Sequence, residues 1–168
     1  LKKAIDAHKK SGAIATMVAK DVNIEEVSKF GVIVTDENSF VSEFQEKPSK
    51  EEAKSTLINT GIYIFNYKIF DYIPENQFYD FAKNVFPSLL NDNQKINVYK
   101  TNEYWCDIGS IDQYKQTHKD IFNKIIKIDN VKIEDFYNSK LISNKNSKFA
   151  INAKLLGNNV IGNNCTFE

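Results

Sequence analysis

Residues 104–109 read Tyr-Trp-Cys-Asp-Ile-Gly and place a carboxylate, Asp107, two positions after Trp105, the only tryptophan of the chain. The β-rich composition, closed by glycine, predicts a strand over 104–108 that ends beside these two side chains. Since alternate residues of a strand share a face, Trp105 and Asp107 are expected on one side, with Cys106 in the core on the other. The sequence therefore predicts a carboxylate and an aromatic ring together at a strand end.

Two further polar clusters lie upstream at predicted strand positions. Glu46-Lys47-Pro48 closes an apolar-alternating run, and Asn59-Thr60-Gly61 lies near the start of another. Turn formers between Gly31–Thr35 and Phe40–Phe44 predict a hairpin that brings Glu46 to a strand end. Three polar clusters are thus expected on one sheet.

Helical and strand patterns alternate along the first part of the chain, which is typical of an α/β domain. The predicted strands are Ala13–Val18, Gly31–Thr35, Phe40–Phe44, Leu57–Phe65, Lys95–Lys100 and Tyr104–Ile108. The predicted helices are Leu1–Lys10, a short one opened by Ser49, one capped by Asn66, one capped by Asp80, and one capped by Ser110 with an apolar stripe to Ile125.

The composition is that of a globular protein with one main domain: 168 residues, 42% of them hydrophobic. The 22 basic residues, all lysines, balance 22 acidic ones, so the chain lacks the positive field that binds nucleic acids or anionic membranes. Cys106 and Cys165 have no metal-binding spacing, and no apolar run approaches the about 20 residues that span a bilayer. We therefore expect a cytoplasmic protein that binds neither nucleic acid nor membrane.

The pattern changes near Lys127, after which short β-rich pieces alternate with Asn, Ser and Lys clusters. Leu156-Gly157-Asn158-Asn159-Val160 is followed at once by Ile161-Gly162-Asn163-Asn164-Cys165, two copies of one short repeat. Such repeats stack to bury a shared face and usually need about three or more units. We place a domain boundary here, with 1–127 before it and 128–168 after it.

The three polar clusters, in this order, resemble the sugar-phosphate nucleotidyltransferases, or NDP-sugar pyrophosphorylases, and most closely the bacterial mannose-1-phosphate guanylyltransferases. The resemblance runs from Leu1 to Phe122, and the tail resembles a left-handed β-helix. It implies the C-terminal part of a Rossmann-like α/β nucleotidyltransferase domain over 1–127, followed by the start of a left-handed parallel β-helix over 128–168. The glycine-rich loop that cradles the triphosphate in this family is absent from the sequence. Because Leu1 also reads as mid-helix, we expect a C-terminal fragment that is inactive alone.

The resemblance implies a sugar-1-phosphate site. Glu46 matches a glutamate that accepts hydrogen bonds from sugar hydroxyls, and Lys47 matches a lysine that neutralises the sugar phosphate. Asn59 and Gly61 match residues that line the sugar site, and we place Trp105 with them. The residues alone also allow plainer roles: Glu46 and Lys47 in a solvated turn, Asn59 at a strand start, and Trp105 in the core. Strand alternation would send Glu46 and Lys47 to opposite sides unless the strand end twists.

Asp107 matches the catalytic, metal-binding position of the family. Nucleotidyl transfer needs a divalent ion at the attacked phosphate, and Mg²⁺ prefers one or two carboxylates with substrate oxygens and waters. Asp107 is therefore predicted to bind Mg²⁺. Its alternative role is to accept backbone hydrogen bonds in the turn before Gly109.

The reaction implied is the transfer of a nucleotidyl group from a nucleoside triphosphate to a sugar-1-phosphate, giving a nucleotide sugar and pyrophosphate. GTP and mannose-1-phosphate are the expected substrates, and glucose-1-phosphate with ATP or dTTP is the alternative. A catalytically silent regulatory or assembly subunit and a β-helix acyltransferase are further alternatives. We also expect a homo-oligomer formed through sheet edges or the β-helix.

Overall fold

The first part of the chain is built on a mixed sheet. The structure is a computed structural model that describes residues 1–129, 131–136, 139–143 and 146–167. The chain splits into two compact units, Leu1–Glu103 and Tyr104–Glu168, each described by itself below. The domain limits 1–127 and 128–168 remain a prediction. Of the predicted second domain, residues 130, 137, 138, 144, 145 and 168 lie outside the described residues.

Five strands form the sheet of the first unit: β1 (Ala15–Asp21), β2 (Gly31–Thr35), β3 (Val41–Glu46), β4 (Leu57–Phe65) and β5 (Ile96–Lys100). Their order is β3-β2-β4-β1-β5, in which β1 and β5 run parallel and the other neighbours antiparallel. The sequence predicts all five strands and the β2–β3 hairpin, and the structure confirms them. Glu46 is the last residue of β3, as expected.

The helical segments are short, and two of them begin at caps that the sequence predicts, Asn66 and Asp80. They are α1 (Lys2–Ser11), two 3₁₀ helices (Ile24–Lys29 and Tyr67–Tyr72), a π-helical turn (Phe81–Val85) and α2 (Phe86–Asn91). Asn66 Oδ1 accepts the N–H of Lys68 at 3.1 Å, and Asp80 Oδ1 accepts the N–H of Lys83 at 2.8 Å. Each bond satisfies a donor that the first turn of a helix leaves unpaired.

Both faces of the sheet are covered. Met17 of β1 belongs to a buried cluster with Phe86 and Leu89 of α2 on one face. Thr16, its neighbour in the strand, faces the other way because side chains alternate. There the Thr16 hydroxyl lies 2.9 Å from His8 Nδ1 of α1. The sheet therefore lies between α1 and α2.

The helix predicted from Ser49 is a single turn. Half of the predicted capping box forms, since Glu52 Oε2 accepts the N–H of Ser49 at 3.3 Å. However, the carbonyl of Glu52 accepts from Gln45 Nε2 at 3.0 Å, and the N–H of Lys54 donates to Gln45 Oε1 at 2.9 Å. These side-chain bonds replace the backbone bonds that would extend a helix.

The second unit begins with an irregular segment followed by helix α3 (Ile111–Phe122). Ser110 caps α3 as predicted, because its Oγ accepts the N–H of Gln113 at 3.2 Å. The described strands that follow are β6 (Glu134–Phe136), β7 (Ser139–Ser143), β8 (Lys148–Phe149), β9 (Asn158–Ile161) and β10 (Thr166–Phe167).

Two parallel strand pairs in the second unit share one register. β7 pairs with β9 and β8 pairs with β10. In each pair the partner lies 18 positions further along, as Lys140 with Asn158 and Lys148 with Thr166 show. Leu141 and Ile161 are buried within this part of the chain. Two successive stretches of chain therefore stack on their counterparts with one common period.

Candidate functional site

Glu46 and Asn59 lie in one row across three strands. Glu46 pairs with Gly31 of the neighbouring strand β2, and the pairing of Val32 with Ile58 places Gly31 level with Asn59 on β4. Directly opposed residues of adjacent strands share a face. The side chains of Glu46 and Asn59 therefore point to the same side of the sheet, with a glycine between them.

Gly31 leaves room that the neighbouring side chains occupy. A Cβ at this position would lie 2.6 Å from Phe44 Cζ and 3.3 Å from Glu46 Oε2. Any larger residue would displace the ring or the carboxylate. The sequence alone does not single out Gly31. Its signal is a glycine that opens a predicted strand, and its role depends on which residues of β3 lie opposite it.

The Asn59-Thr60-Gly61 cluster forms a bulge in β4. The register jumps from Met17 paired with Tyr63 to Ala19 paired with Asn59, so β4 carries extra residues at this point. Gly61 has a φ of 76°, in the left-handed region that favours glycine, and a Cβ there would meet nothing within 4 Å. Gly61 is therefore required by the backbone conformation, not by lack of space.

The amide of Asn59 is fixed at both ends. Its Oδ1 accepts the N–H of Gly61 at 3.0 Å, and its Nδ2 donates to the Tyr63 hydroxyl at 2.7 Å. Burial raises the pKa of Tyr63, the bond from Asn59 opposes this rise, and the negative charges of Asp80 and Glu46 add to it. The hydroxyl thus keeps its proton near neutral pH and can donate it in a hydrogen bond. Tyr63 was not predicted from the sequence, and it places a further polar group beside Asn59.

Lys47 leaves the geometry of the strand. Its φ is 47°, and its N–H donates to the carbonyl of Phe30 at 3.2 Å, directly before the buried Pro48. A left-handed lysine is uncommon and is retained where the surroundings enforce it. The alternation that would send Glu46 and Lys47 to opposite faces therefore does not apply at Lys47.

The predicted strand over 104–108 is wrong. Residues 104–109 belong to neither helix nor strand. The segment contacts α3 instead: the Tyr104 hydroxyl donates to Asp120 Oδ2 at 2.9 Å, and the Thr117 hydroxyl lies 3.6 Å from Cys106 Sγ. A strand requires a neighbour to pair its backbone groups, and here side chains of a helix hold the segment.

Asp107 is exposed at the middle of this segment, whereas Trp105 is half-buried. Cys106 is also half-buried and not in the core as predicted, because alternation applies only to a strand. Glu46, Lys47, Asn59 and Gly61 belong to the first unit, whereas Trp105 and Asp107 belong to the second. The sheet brings Glu46 and Asn59 together, and Asp107 is placed only relative to α3.

One exposed carboxylate fits part of a magnesium site. The described residues contain no group of three or more His, Cys, Asp or Glu side chains that could hold a metal ion. Mg²⁺ typically binds one or two carboxylates together with substrate phosphates and waters, so Asp107 supplies a suitable oxygen donor. Magnesium binding at Asp107 stays a prediction.

A cavity of about 570 Å³ lies in the second unit, lined by residues from 121–129 and 131–134. Isoleucines and lysines dominate its lining. None of the predicted site residues lines it.

The sequence profile of the family described as "Nucleotidyl transferase" matches residues 1–124. The chain belongs to this family. Family membership agrees with the fold, in which polar clusters lie on a mixed α/β sheet, and it confirms the resemblance at the level of the sugar-1-phosphate nucleotidyltransferases. The match does not distinguish a mannose-1-phosphate guanylyltransferase from other members of the family.

Curated relatives are named for glucose-1-phosphate. A UTP–glucose-1-phosphate uridylyltransferase of Synechocystis sp. is 44% identical over 124 residues, covering 74% of this chain and 32% of that protein. A glucose-1-phosphate adenylyltransferase of Lachnospira eligens is 39% identical over 137 residues, covering 79% of this chain and 31% of that protein. The chain thus spans about a third of the length of these relatives.

A solved structure has the same fold. The crystal structure of apo UDP-glucose pyrophosphorylase superposes with a TM-score of 0.61 at 26% identity, covering 75% of this chain and 48% of that chain. Among the helices in the described part of the chain, none has the length and apolar character needed to cross a membrane.

Proposed function

We propose that this chain is the sugar-binding part of an enzyme that transfers a nucleotidyl group to glucose-1-phosphate. Family membership and the names of the relatives support this reaction. The observation that carries the proposal is the row of Glu46, Gly31 and Asn59, in which two hydrogen-bonding side chains flank a glycine on one face. A hexose ring presents hydroxyl groups that a carboxylate and an amide bind well.

In the proposed reaction an oxygen of the sugar phosphate attacks the α-phosphorus of a nucleoside triphosphate. A new oxygen–phosphorus bond forms, the bond to the β-phosphate oxygen breaks, and pyrophosphate leaves with the electron pair. Positioning and charge neutralisation are the main tasks of a protein in such a transfer. Glu46 and Asn59 bind the sugar hydroxyls, Lys47 neutralises the sugar phosphate, and Gly61 lets the ring approach the strand.

Asp107 holds Mg²⁺ in the proposed enzyme. When bound, the ion neutralises charge on the attacked phosphate and aligns it for displacement. The carboxylate of Asp107 is exposed, as the binding of such an ion requires. Trp105, half-buried two positions earlier, is proposed to contact the substrate.

Mannose-1-phosphate and GTP remain the competing substrates, and glucose-1-phosphate is preferred because the relatives at 44% and 39% identity are named for it. The nucleotide base is left open, because the predicted site residues concern the sugar, its phosphate and the metal ion. A silent regulatory or assembly subunit is disfavoured by the retained Glu46, Lys47 and Asp107. A β-helix acyltransferase is disfavoured because neither histidine of the sequence, His8 or His118, lies near the two short repeats.

We further propose that residues 128–168 begin a left-handed β-helix. The common period of 18 residues in the β7–β9 and β8–β10 pairs supports stacked coils. The edge strand β3 favours pairing with a second copy, whereas β5 is partly covered, because the N–H of Val98 donates to the carbonyl of Ser39 at 2.9 Å. Homo-oligomerisation and a cytoplasmic location belong to the same proposal.

Calorimetric or NMR titration of the chain with glucose-1-phosphate and mannose-1-phosphate tests the sugar site. We expect weak binding that favours glucose-1-phosphate and that Lys47→Ala abolishes. Lys9→Ala is the matched control, because Lys9 is exposed on α1, which covers the face of the sheet opposite to Asn59. A folded chain that binds neither sugar phosphate, or that binds equally well after Lys47→Ala, would contradict the assignment.

A further inference from the structure

The segment that carries Asp107 is fastened to α3 at both ends. At one end the Tyr104 hydroxyl donates to Asp120 Oδ2 at 2.9 Å. At the other end Ser110 caps α3 through the N–H of Gln113 at 3.2 Å. Residues 104–109 have no helix or strand of their own, so attachments such as these help to determine where Asp107 lies.

Both carboxylate oxygens of Asp120 are engaged. Oδ1 accepts from Gln116 Nε2 at 2.8 Å, one turn earlier on α3, and Oδ2 accepts from Tyr104. A carboxylate held by its own helix in this way has a fixed orientation, and hydrogen bonds to ionised groups are stronger than neutral ones. Asp120 is therefore a rigid anchor for the first residue of the segment.

Partial burial raises the pKa of Tyr104, the hydrogen bond and charge of Asp120 raise it further, and a hydrogen bond with Thr117 opposes them. The phenol therefore stays protonated near neutral pH, so its hydrogen bond to Asp120 persists. A second contact, 3.6 Å between the Thr117 hydroxyl and Cys106 Sγ, lies beside it.

We propose that Asp120 is a positioning residue that, through Tyr104, holds the 104–109 segment and thereby orients Asp107 for magnesium binding. This inference rests on the proposed role of Asp107. Asp120 itself touches neither the substrate nor the ion in this proposal. Its contribution is to limit the conformations open to an otherwise irregular segment.

Trp105 provides a direct readout in the chain itself, because it is the only tryptophan and follows Tyr104 directly. Tyr104→Phe removes one hydroxyl, and Asp120→Ala removes the anchor. We expect each variant to raise acrylamide quenching of Trp105 about twofold. The double variant should show no further increase, because both substitutions remove the same hydrogen bond between Tyr104 and Asp120. Asp120→Asn keeps an acceptor oxygen and should restore most of the wild-type quenching.

In the full-length protein, the same two variants should raise the Mg²⁺ concentration for half-maximal turnover several-fold, while KM for the sugar phosphate stays unchanged. Asp112→Asn, an exposed carboxylate on the first turn of α3, is the matched control and should change neither readout.

Unchanged quenching and unchanged Mg²⁺ dependence in folded Tyr104→Phe and Asp120→Ala would overturn the positioning role alone. Full turnover by Asp107→Asn would overturn the proposed magnesium role of Asp107, and the positioning role with it, whereas no turnover of glucose-1-phosphate by the wild-type full-length protein would overturn the proposed function itself. Loss of turnover in Asp107→Asn, together with normal Tyr104→Phe, would leave the proposed function standing and remove only the role of Asp120.

Discussion

The Asn59-Thr60-Gly61 bulge and the 104–109 segment carry the two parts of the proposed chemistry, and they are held in different ways. The bulge lies on β4, the middle strand of a five-stranded sheet. The segment has no strand partner and is attached to α3 by side chains. Many backbone bonds hold the first, so substitutions there should change stability. Side-chain bonds, such as that from Tyr104 to Asp120, hold the 104–109 segment, so substitutions there should change the position of Asp107 and the activity.

The largest stability effect is expected beneath the sheet. Phe86 is fully buried and lies against Tyr63, with ring centroids 5.2 Å apart. Phe86→Ala should lower the free energy of unfolding by about 3–5 kcal/mol, because it removes buried surface and leaves a cavity. Phe78→Ala is the control: Phe78 is 91% exposed, so the change should stay within about 0.5 kcal/mol. Chemical denaturation measures both, and equal losses would contradict the described core.

Substitution of one glycine in each region tests the difference between them directly. Gly61→Ala places a Cβ at a φ of 76° and should cost about 1–2 kcal/mol of stability. Gly109 has no positive φ, and a Cβ there would meet Asp107 Oδ2 at 3.7 Å, an ordinary contact. Gly109→Ala should therefore leave stability unchanged or raise it by up to about 1 kcal/mol. Thermal unfolding of the two variants compares them, and equal destabilisation would remove the distinction between the regions.

The smallest effect is a pH dependence in the first region. Burial lowers the pKa of His8, which lies against Thr16 of β1, below its ordinary value of 6.5. The unfolded chain therefore binds the proton more readily, and stability should fall as the pH drops below about 6.5, until the folded pKa is passed. Above this value His8 is neutral in both states, so it should give stability no pH dependence there.

His8→Gln removes the titrating group and should flatten this part of the stability profile. The measurement is the unfolding midpoint between pH 5 and pH 8 for both proteins. Identical slopes below pH 6.5 would show that His8 makes no contribution.

Local signals in the sequence predicted most of the first unit. Strand composition predicted the bounds of β4, and Asn66 and Asp80 cap helical segments as their side chains predict. In the second unit, Ser110 caps α3 in the same way. The predicted site residues Glu46 and Asn59 are brought together because each lies on a strand that its own sequence specifies.

The misses share one physical cause, which is dependence on distant residues. Residues 104–108 have the composition of a strand but pair with none. Whether a pairing strand lies alongside is not encoded in the local composition. Gly31 lies beside Glu46 through the pairing of β2 with β3, and Tyr63 reaches Asn59 across the bulge in β4. The bulge at Gly61 and the left-handed Lys47 are likewise set by neighbours and not by local pattern.

The central claim is that Asp107 acts through its charge, and Asp107→Asn in the full-length protein tests it most directly. The amide keeps the shape and hydrogen-bonding capacity but loses the charge that holds Mg²⁺. We predict turnover at background level at saturating Mg²⁺, with an unchanged thermal midpoint. If Asp107 is a turn residue, the variant should lose about 1 kcal/mol of stability for a lost hydrogen bond and keep its activity. A variant that melts earlier yet turns over at near wild-type rate would contradict the account.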